Sequence, residues 1–296
     1  MIDMIVENYK KDVKFSALSG AKMQILDLTG KIIDEWVSDG TPHRAVGLKA
    51  GETYILHEVE APKGYAIAKD IEFTVDEDGT DKVNTMIDKQ IVVFKNDVDG
   101  KPVEGAILNV TDSNGHVVDS WITTKLPHAV ENLVVGNDYL LNEQTPAKGY
   151  VKADSILFTV EDDEQNQIVK MIDKYVTVEK VDTKGNAVKG VTLSVIDGNG
   201  KTVDSWKTDG TEHRVDGLKE GKTYTIRETG TPEGYVTAND IKFTVTGASK
   251  KGIKINQEYT MIDKTVTIEK TDTSNKGLAG ATLSVINKDG EVVDTW

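Results

Sequence analysis

The sequence predicts an all-β protein, a tandem array of Greek-key β-sandwich domains arranged as a rod. Three observations predict it. A Met-Ile-Asp run whose aspartate is followed seven residues later by a lysine occurs four times, at Asp3 and Lys10, Asp88 and Lys95, Asp173 and Lys180, and Asp263 and Lys270. Successive aspartates lie 85, 85 and 90 residues apart, a period suited to whole domains with separate cores rather than to a solenoid of small units. Within each period, short alternating runs are bounded by Gly, Asn and Asp turns, and apolar residues at i, i+3, i+4 and i+7 do not recur. Strands, not helices, therefore fill each unit.

The repeat divides the 296 residues into the end of a preceding unit (1–3), three complete units (4–89, 90–174 and 175–264) and the start of a fourth (265–296). The closing run GATLSVINKDGEVVDTW copies GVTLSVIDGNGKTVDSW, which ends at Trp206, so the chain reads as a segment of a longer protein. Each unit is small but long enough to bury a core. With no cysteine, neither a disulfide nor a thiolate metal site can support it. The 49 acidic against 35 basic residues give a net charge of −14, which argues against nucleic acid or an anionic membrane as partner. No apolar run approaches the roughly 20 residues of a membrane-spanning helix, and no signal peptide is visible.

The third unit shows the elements most clearly. Val176, Val178 and Lys180 alternate with Thr177 and Glu179, the period-2 pattern of a half-buried strand. A lysine thus sits on the apolar face. After the turn VDTKGN come VTLSVID, a Gly-Asn-Gly-Lys turn at 198–201, and TVDSW; Asn-Gly between alternating runs is a strong hairpin signal. The polar stretch TDGTEHRVDGLKEGKTY reads as a loop. Tyr224, Ile226 and Glu228 form the next alternating strand, and IKFTV a short one. Tyr259, Met261 and Asp263 alternate at the unit's end. Two carboxylates join the lysine on buried faces.

The same three positions are Lys10, Glu58 and Asp88 in the first unit and Lys95, Glu143 and Asp173 in the second. Lysine and glutamate are 48 residues apart in all three units, and glutamate and aspartate 30, 30 and 35 apart, the longer interval being accounted for by extra residues around GASKKG. Burying an ammonium and two carboxylates costs several kcal/mol per ion after relaxation. Two explanations compete: a buried ion-pair network, and a reaction that consumes the charges. For the second, desolvation lowers a lysine's pKa and raises a carboxylic acid's, so a neutral amine can attack the aspartate carboxyl carbon. The glutamate would carry protons as water leaves.

The run VTVEKVDTKGNAVKGVTLSVID, the segment YTIRETGTPEGY and the closing TMID resemble the Cna protein B-type (SpaA-type, prealbumin-like) domains of Gram-positive surface adhesins and pilins. The resemblance covers essentially the whole chain. In every unit the glutamate follows a Tyr by four residues and precedes a Gly-Tyr. The resemblance implies a prealbumin-like (Ig-like) sandwich with an intramolecular isopeptide bond between a first-strand Lys and a last-strand Asn or Asp, assisted by a Glu. Carried onto this sequence, the bonds join Lys10 to Asp88, Lys95 to Asp173 and Lys180 to Asp263, with Glu58, Glu143 and Glu228 as proton shuttles. The first-unit strand VENYKKD departs from the pattern, with Asn8 and Asn84 where the other complete units are apolar, and with Lys11 and Lys14 near the nucleophile. The register of Lys10 is nonetheless intact. Lys270 and Asp3 lack partners in this segment and are expected to be unreacted.

Such a bond ties first strand to last, so tension bypasses the sandwich. The seven steps from Asp173 to Lys180 span at most about 25 Å, and each cross-link closes a loop long enough to contribute about 4–5 kcal/mol in the loop-entropy model.

Weaker signals stay structural. His43, His128 and His213 each follow a Trp (Trp36, Trp121, Trp206) by seven residues, and one His per unit does not make a metal site. The acidic runs DEDGTD (76–81) and NDVDGK (96–101) lack the spacing of a calcium loop and read as β-turns. The tryptophans read as packing residues. No cofactor or metal is expected, and no enzyme acting on an external substrate. The sequence thus points to an extracellular, cell-wall or cell-surface stalk or spacer of an adhesin or pilin-like protein. The alternative is that the units themselves bind host matrix protein or glycan. Partners are then neighbouring repeats, with host extracellular matrix or glycan reached through regions outside this segment, and neither nucleic acid nor membrane insertion.

Overall fold

The computed structural model describes residues 5–78, 80–246 and 257–296. Asp3 and the residues around GASKKG lie outside the described residues. The first unit contains β1 (Val6–Asp12), β2 (Ser19–Asp27), β3 (Ile32–Asp39), β4 (His43–Arg44), β5 (Thr53–Glu60), β6 (Ile71–Thr74) and β7 (Lys82–Asp88). The second contains β8 (Ile91–Asp97), β9 (Ile107–Thr111), β10 (Val117–Ile122), β11 (His128–Ala129), β12 (Asp138–Thr145), β13 (Ile156–Thr159) and β14 (Gln167–Asp173). The third contains β15 (Val176–Asp182), β16 (Thr192–Asp197), β17 (Thr202–Lys207), β18 (His213–Arg214), β19 (Thr223–Gly230), β20 (Ile241–Thr244) and β21 (Gln257–Asp263). A hairpin of β22 (Ser284–Ile286) and β23 (Val292–Thr295) follows.

Each unit is built from two sheets. In the first, β3-β2-β5-β6 form one and β4-β1-β7 the other, and the second and third units repeat both orders. The opening and closing strands pair in parallel, Lys10 opposite Met86, Lys95 opposite Met171 and Lys180 opposite Met261. A parallel pair needs a long crossover, and here nearly the whole sandwich supplies it. The short β4, β11 and β18 fall inside the stretch that reads as a loop. Two residues are too few to show periodicity, and pairing with the opening strand, such as Val178 with His213, creates the strand.

Alternation sets the core. Met23, Ile25, Tyr54, Leu56, Phe73 and Met86 pack between the sheets of the first unit, and the matching positions, including Leu108, Leu141, Met171, Leu193, Ile226 and Met261, fill the others. Cores also reach across seams. Ala66, after β5, is fully buried in the cluster of the second unit, and Val151, after β12, in that of the third.

The two seams differ. Between the first and second units the backbone itself pairs: Ile67 N donates to Leu133 O at 2.8 Å and Val135 N to Ile67 O at 3.0 Å. Lys89 bonds Glu161 O at 2.9 Å and pairs with Asp163, and Lys69 pairs with Asp162 at 3.0 Å. Between the second and third, Arg214 lies 3.8 Å from the ring centre of Tyr175 and 4.9 Å from that of Tyr150. Lys174 meets Glu220 at 3.3 Å. Gly149 has φ +79°, and a Cβ there would come within 3.1 Å of Arg214 Cβ, so the seam closes over a residue without a side chain.

No helix among the described residues is long and apolar enough to cross a membrane.

Candidate functional site

Inward-facing positions of three strands from two sheets converge in each unit. Lys10 lies on β1 and Asp88 at the end of β7, two residues past Lys10's partner Met86 and so on the same face. Glu58 comes from β5 in the facing sheet, opposite Met23 on β2. The sequence pattern that put charges on apolar faces is matched by burial: Lys10, Glu58 and Asp88 are 6%, 1% and 1% exposed. Lys95, Glu143 and Asp173, and Lys180, Glu228 and Asp263, are likewise buried. Lys11 is half-buried, and Lys14 and Lys270 are exposed.

Within each set the lysine and aspartate are in direct contact: Lys10 with Asp88, Lys95 with Asp173, Lys180 with Asp263. The glutamate stands beside them. Lys10 Nζ is 2.8 Å from Glu58 Oε1 and Lys95 Nζ 2.9 Å from Glu143 Oε1, ionic contacts without hydrogen-bond geometry at the carboxylate oxygen. In the third unit the separation widens to 3.8 Å, between Lys180 Nζ and Glu228 Oε2. The second aspartate oxygen, Oδ2 of Asp88, Asp173 and Asp263, is buried with no hydrogen-bond partner among the described residues.

That environment controls protonation. Burial pushes the Asp88 carboxyl up to about 8, against the attraction of Lys10 and with the repulsion of Glu58 adding to it. Asp173 is pushed up to about 7 by the same causes. Burial raises Asp263 too, with Lys180 opposing. Asp88 and Asp173 are therefore carboxyls that hold their protons far above the ordinary range of an aspartate, and Asp263 is raised in the same direction. A nucleophilic amine, a protonated carboxyl in contact with it, and a second carboxylate reaching the amine are the groups that amide condensation requires.

One contact has no side-chain signature in the sequence. A backbone N–H holds the far oxygen of each glutamate: Ala68 N to Glu58 Oε2 at 2.7 Å, Ala153 N to Glu143 Oε2 at 2.6 Å, and Ala238 N to Glu228 Oε2 at 2.9 Å. Any residue except proline carries that donor. The placement of an alanine ten residues after the glutamate in every unit is the only trace it leaves.

The repeated histidines have another role. His43, His128 and His213 stack on Trp36, Trp121 and Trp206 with ring centres 4.0, 4.1 and 3.9 Å apart. Their Nε2 atoms meet Asp34, Asp119 and Asp204 at 2.9, 2.8 and 2.9 Å. Each trio pins β4, β11 or β18 against the neighbouring sheet edge. The acidic runs act as turns, Asp78 accepting from Thr80 N and Asp97 from Lys101 N. Among the described residues no group of three or more His, Cys, Asp or Glu side chains is arranged to hold a metal ion.

Comparison with known proteins agrees with this architecture. The sequence model of one family, the SpaA prealbumin-like fold domain, matches three consecutive stretches, residues 5–90, 89–175 and 174–259. No curated protein sequence matches the chain. Among solved structures it is similar to the Bacillus anthracis TIE protein, at 22% identity over 89% of this chain and 51% of that one, with a TM-score of 0.25. The chain thus spans about half the length of that relative. It is also similar to the shaft pilin spaA from Lactobacillus rhamnosus GG (17% identity, 61% of this chain and 98% of that one, TM-score 0.31). The major pilin subunit BcpA of Bacillus cereus is a third (15% identity, 89% and 99%, TM-score 0.27).

Proposed function

The chain belongs to the SpaA prealbumin-like fold domain family, and on that premise we propose that it is a stalk segment of a cell-surface adhesin or pilin, each unit of which is closed by a Lys–Asp isopeptide bond. The units take the boundaries 4–89, 90–174 and 175–264. Outside the cell, where such a stalk works, the bond is indifferent to redox conditions.

The observation that carries this reading is the threefold recurrence of a buried lysine touching a buried aspartate with a glutamate at hand. An ion pair alone would be a poor use of a small core, because desolvating three ionisable groups offsets most of their attraction. Condensation removes the charges of the lysine and the aspartate. Lysine Nζ, as the free amine, attacks Cγ of the protonated aspartate; the N–Cγ bond forms and the Cγ–OH bond breaks. The glutamate takes a proton from the nitrogen and delivers it to the departing hydroxyl, which leaves as water. The glutamate ends as it began, and each unit reacts once. The product is a neutral secondary amide buried among apolar side chains.

Mechanically, the bond lies across the parallel pair of first and last strands. Load entering at Lys95 leaves at Asp173, and the strands between carry none of it. Peptide mapping tests the chemistry: a digest should contain a branched peptide joining the Lys180 and Asp263 fragments, and separate linear fragments would refute it. In single-molecule pulling, the cross-linked units should show no stepwise extension from strands between lysine and aspartate.

A second reading, that the units themselves bind matrix protein or glycan, draws on one feature. Phe15 is 62% exposed and holds φ 64° where the second and third units have Gly100 and Gly185. A bulky residue in the left-handed region is strained, and strain gathers at functional positions. A saturable binding activity abolished by Phe15→Gly would favour that reading over a passive stalk.

A further inference from the structure

In the first unit the backbone donor that holds the glutamate belongs to a loop that also pairs with the following unit. Ala68 N bonds Glu58 Oε2. The preceding residue, Ile67, is joined by two backbone hydrogen bonds to the second unit, donating to Leu133 O and accepting from Val135 N, and Ala66 is buried in that unit's core. The position of the donor is therefore fixed one residue away by a different domain. With Oε2 held by Ala68, it is Oε1 that faces Lys10 at 2.8 Å. At the third unit the corresponding loop borders an open cleft of 640 Å³ lined by Tyr235, Val236, Val266, Ile268, Val285 and Trp296. There the lysine-to-glutamate separation is 3.8 Å, and the nearer oxygen is the one already bonded to Ala238 N. The loop keeps its bond from Val236 N to Lys264 O at 2.8 Å, so the wider lysine–glutamate separation accompanies the open cleft rather than a lost backbone anchor.

We infer that the second unit is a positioning element for the bond-forming site of the first: by pairing with Ile67 it sets the Ala68 N–H that aims Glu58 at Lys10. The inference rests on the isopeptide chemistry proposed above. It gives the array an order of maturation, in which a unit closes its bond efficiently once its C-terminal neighbour has folded against it.

The test follows bond formation in the full chain, made by cell-free synthesis and quenched at intervals in denaturing acid, with each cross-linked peptide pair quantified by mass spectrometry. Val135→Pro deletes the N–H that Ile67 O accepts, and Val135→Ala keeps it. The Lys10–Asp88 bond should form about tenfold more slowly with proline, the factor expected when a hydrogen bond to a charged group loses its alignment, and at the wild-type rate with alanine. The Lys95–Asp173 bond should be unaffected, reporting that the second unit still folds. An unchanged Lys10–Asp88 rate in Val135→Pro overturns the inference. Should proline also slow the Lys95–Asp173 bond, the double variant Asp162→Ala/Asp163→Ala, which loosens the same seam from exposed side chains, decides: a slower first-unit bond supports the coupling and an unchanged one refutes it. If wild-type protein forms no cross-link at any site, the isopeptide reading itself has failed and takes this inference with it.

Discussion

The first and third units share a charged triad but surround it differently. In the first, the inward positions one step before Lys10 and its partner Met86 are Asn8 and Asn84, buried at 3% and 6% exposure, with Asn84 Nδ2 donating to Asn8 Oδ1 at 2.9 Å and Asn8 Nδ2 buried without a partner among the described residues. In the third, Val178 and Tyr259 face each other there, and Tyr259 packs on Phe243 with ring centres 4.8 Å apart. Yet the lysine touches its aspartate in both, while the glutamate is close in the first and withdrawn in the third. The lesson is that the lysine–aspartate contact is fixed by strand register, which tolerates a change of core composition, whereas the glutamate depends on the loop that holds it.

Removing the acceptor breaks the comparison most severely. Asp88→Ala and Asp263→Ala each delete the proposed cross-link, worth about 4–5 kcal/mol in the loop-entropy model, and leave a buried lysine with only the glutamate as counter-charge. Both units should unfold at much lower guanidinium concentration, the first lower still because of its asparagine pair; variants keeping only Trp36 or only Trp206 report them separately by fluorescence. Equal midpoints for variant and wild type would contradict the account.

Exchanging the flanking pair sharpens it. Asn8→Val with Asn84→Val removes an unsatisfied buried amide and should stabilise the first unit by about 1–3 kcal/mol, with the Lys10–Asp88 bond still formed on peptide mapping. Loss of that bond would mean the asparagines belong to the reaction.

Acidity separates the units next. Attack needs the protonated aspartate, so bond formation should fall as pH rises past about 7 in the second unit and about 8 in the first. In unreacted protein the native Asp88 keeps, up to about 8, a proton that an unfolded aspartate releases near 3.8. The folded state binds more protons across that window, so its stability falls as pH rises through it. Quenched time courses at stepped pH check the rate, and urea titrations of Lys10→Met, in which Asp88 stays buried, check the sign.

The smallest effect is expected at the seam. Arg214→Ala removes a cation–π contact of about 0.5–2 kcal/mol and should raise amide exchange at Gly149 and Tyr150 without changing the interior of either unit.

Much of this was legible in the sequence because each buried charge broke an alternating pattern at constant spacing. Lys180 among Val176 and Val178 is visible to anyone counting by two, and the 48-residue interval to Glu228 repeats. What escaped was made by backbone or by tertiary pairing. The two-residue β18 exists only because Thr177 and Val178 pair with it, and Ala68 N carries no side-chain signature. Trp36 and His43 are visible as a repeat, but their stacking depends on a hairpin and a crossing strand being brought side by side. The asparagine pair is legible as an exception to the pattern, while its hydrogen bond follows from the parallel register of β1 and β7.

The central claim is covalent, and intact mass under denaturing conditions tests it most directly. The account predicts a chain lighter than its sequence by three waters, and Lys180→Ala lighter than its own sequence by two. A wild-type mass equal to that of the linear sequence would contradict it.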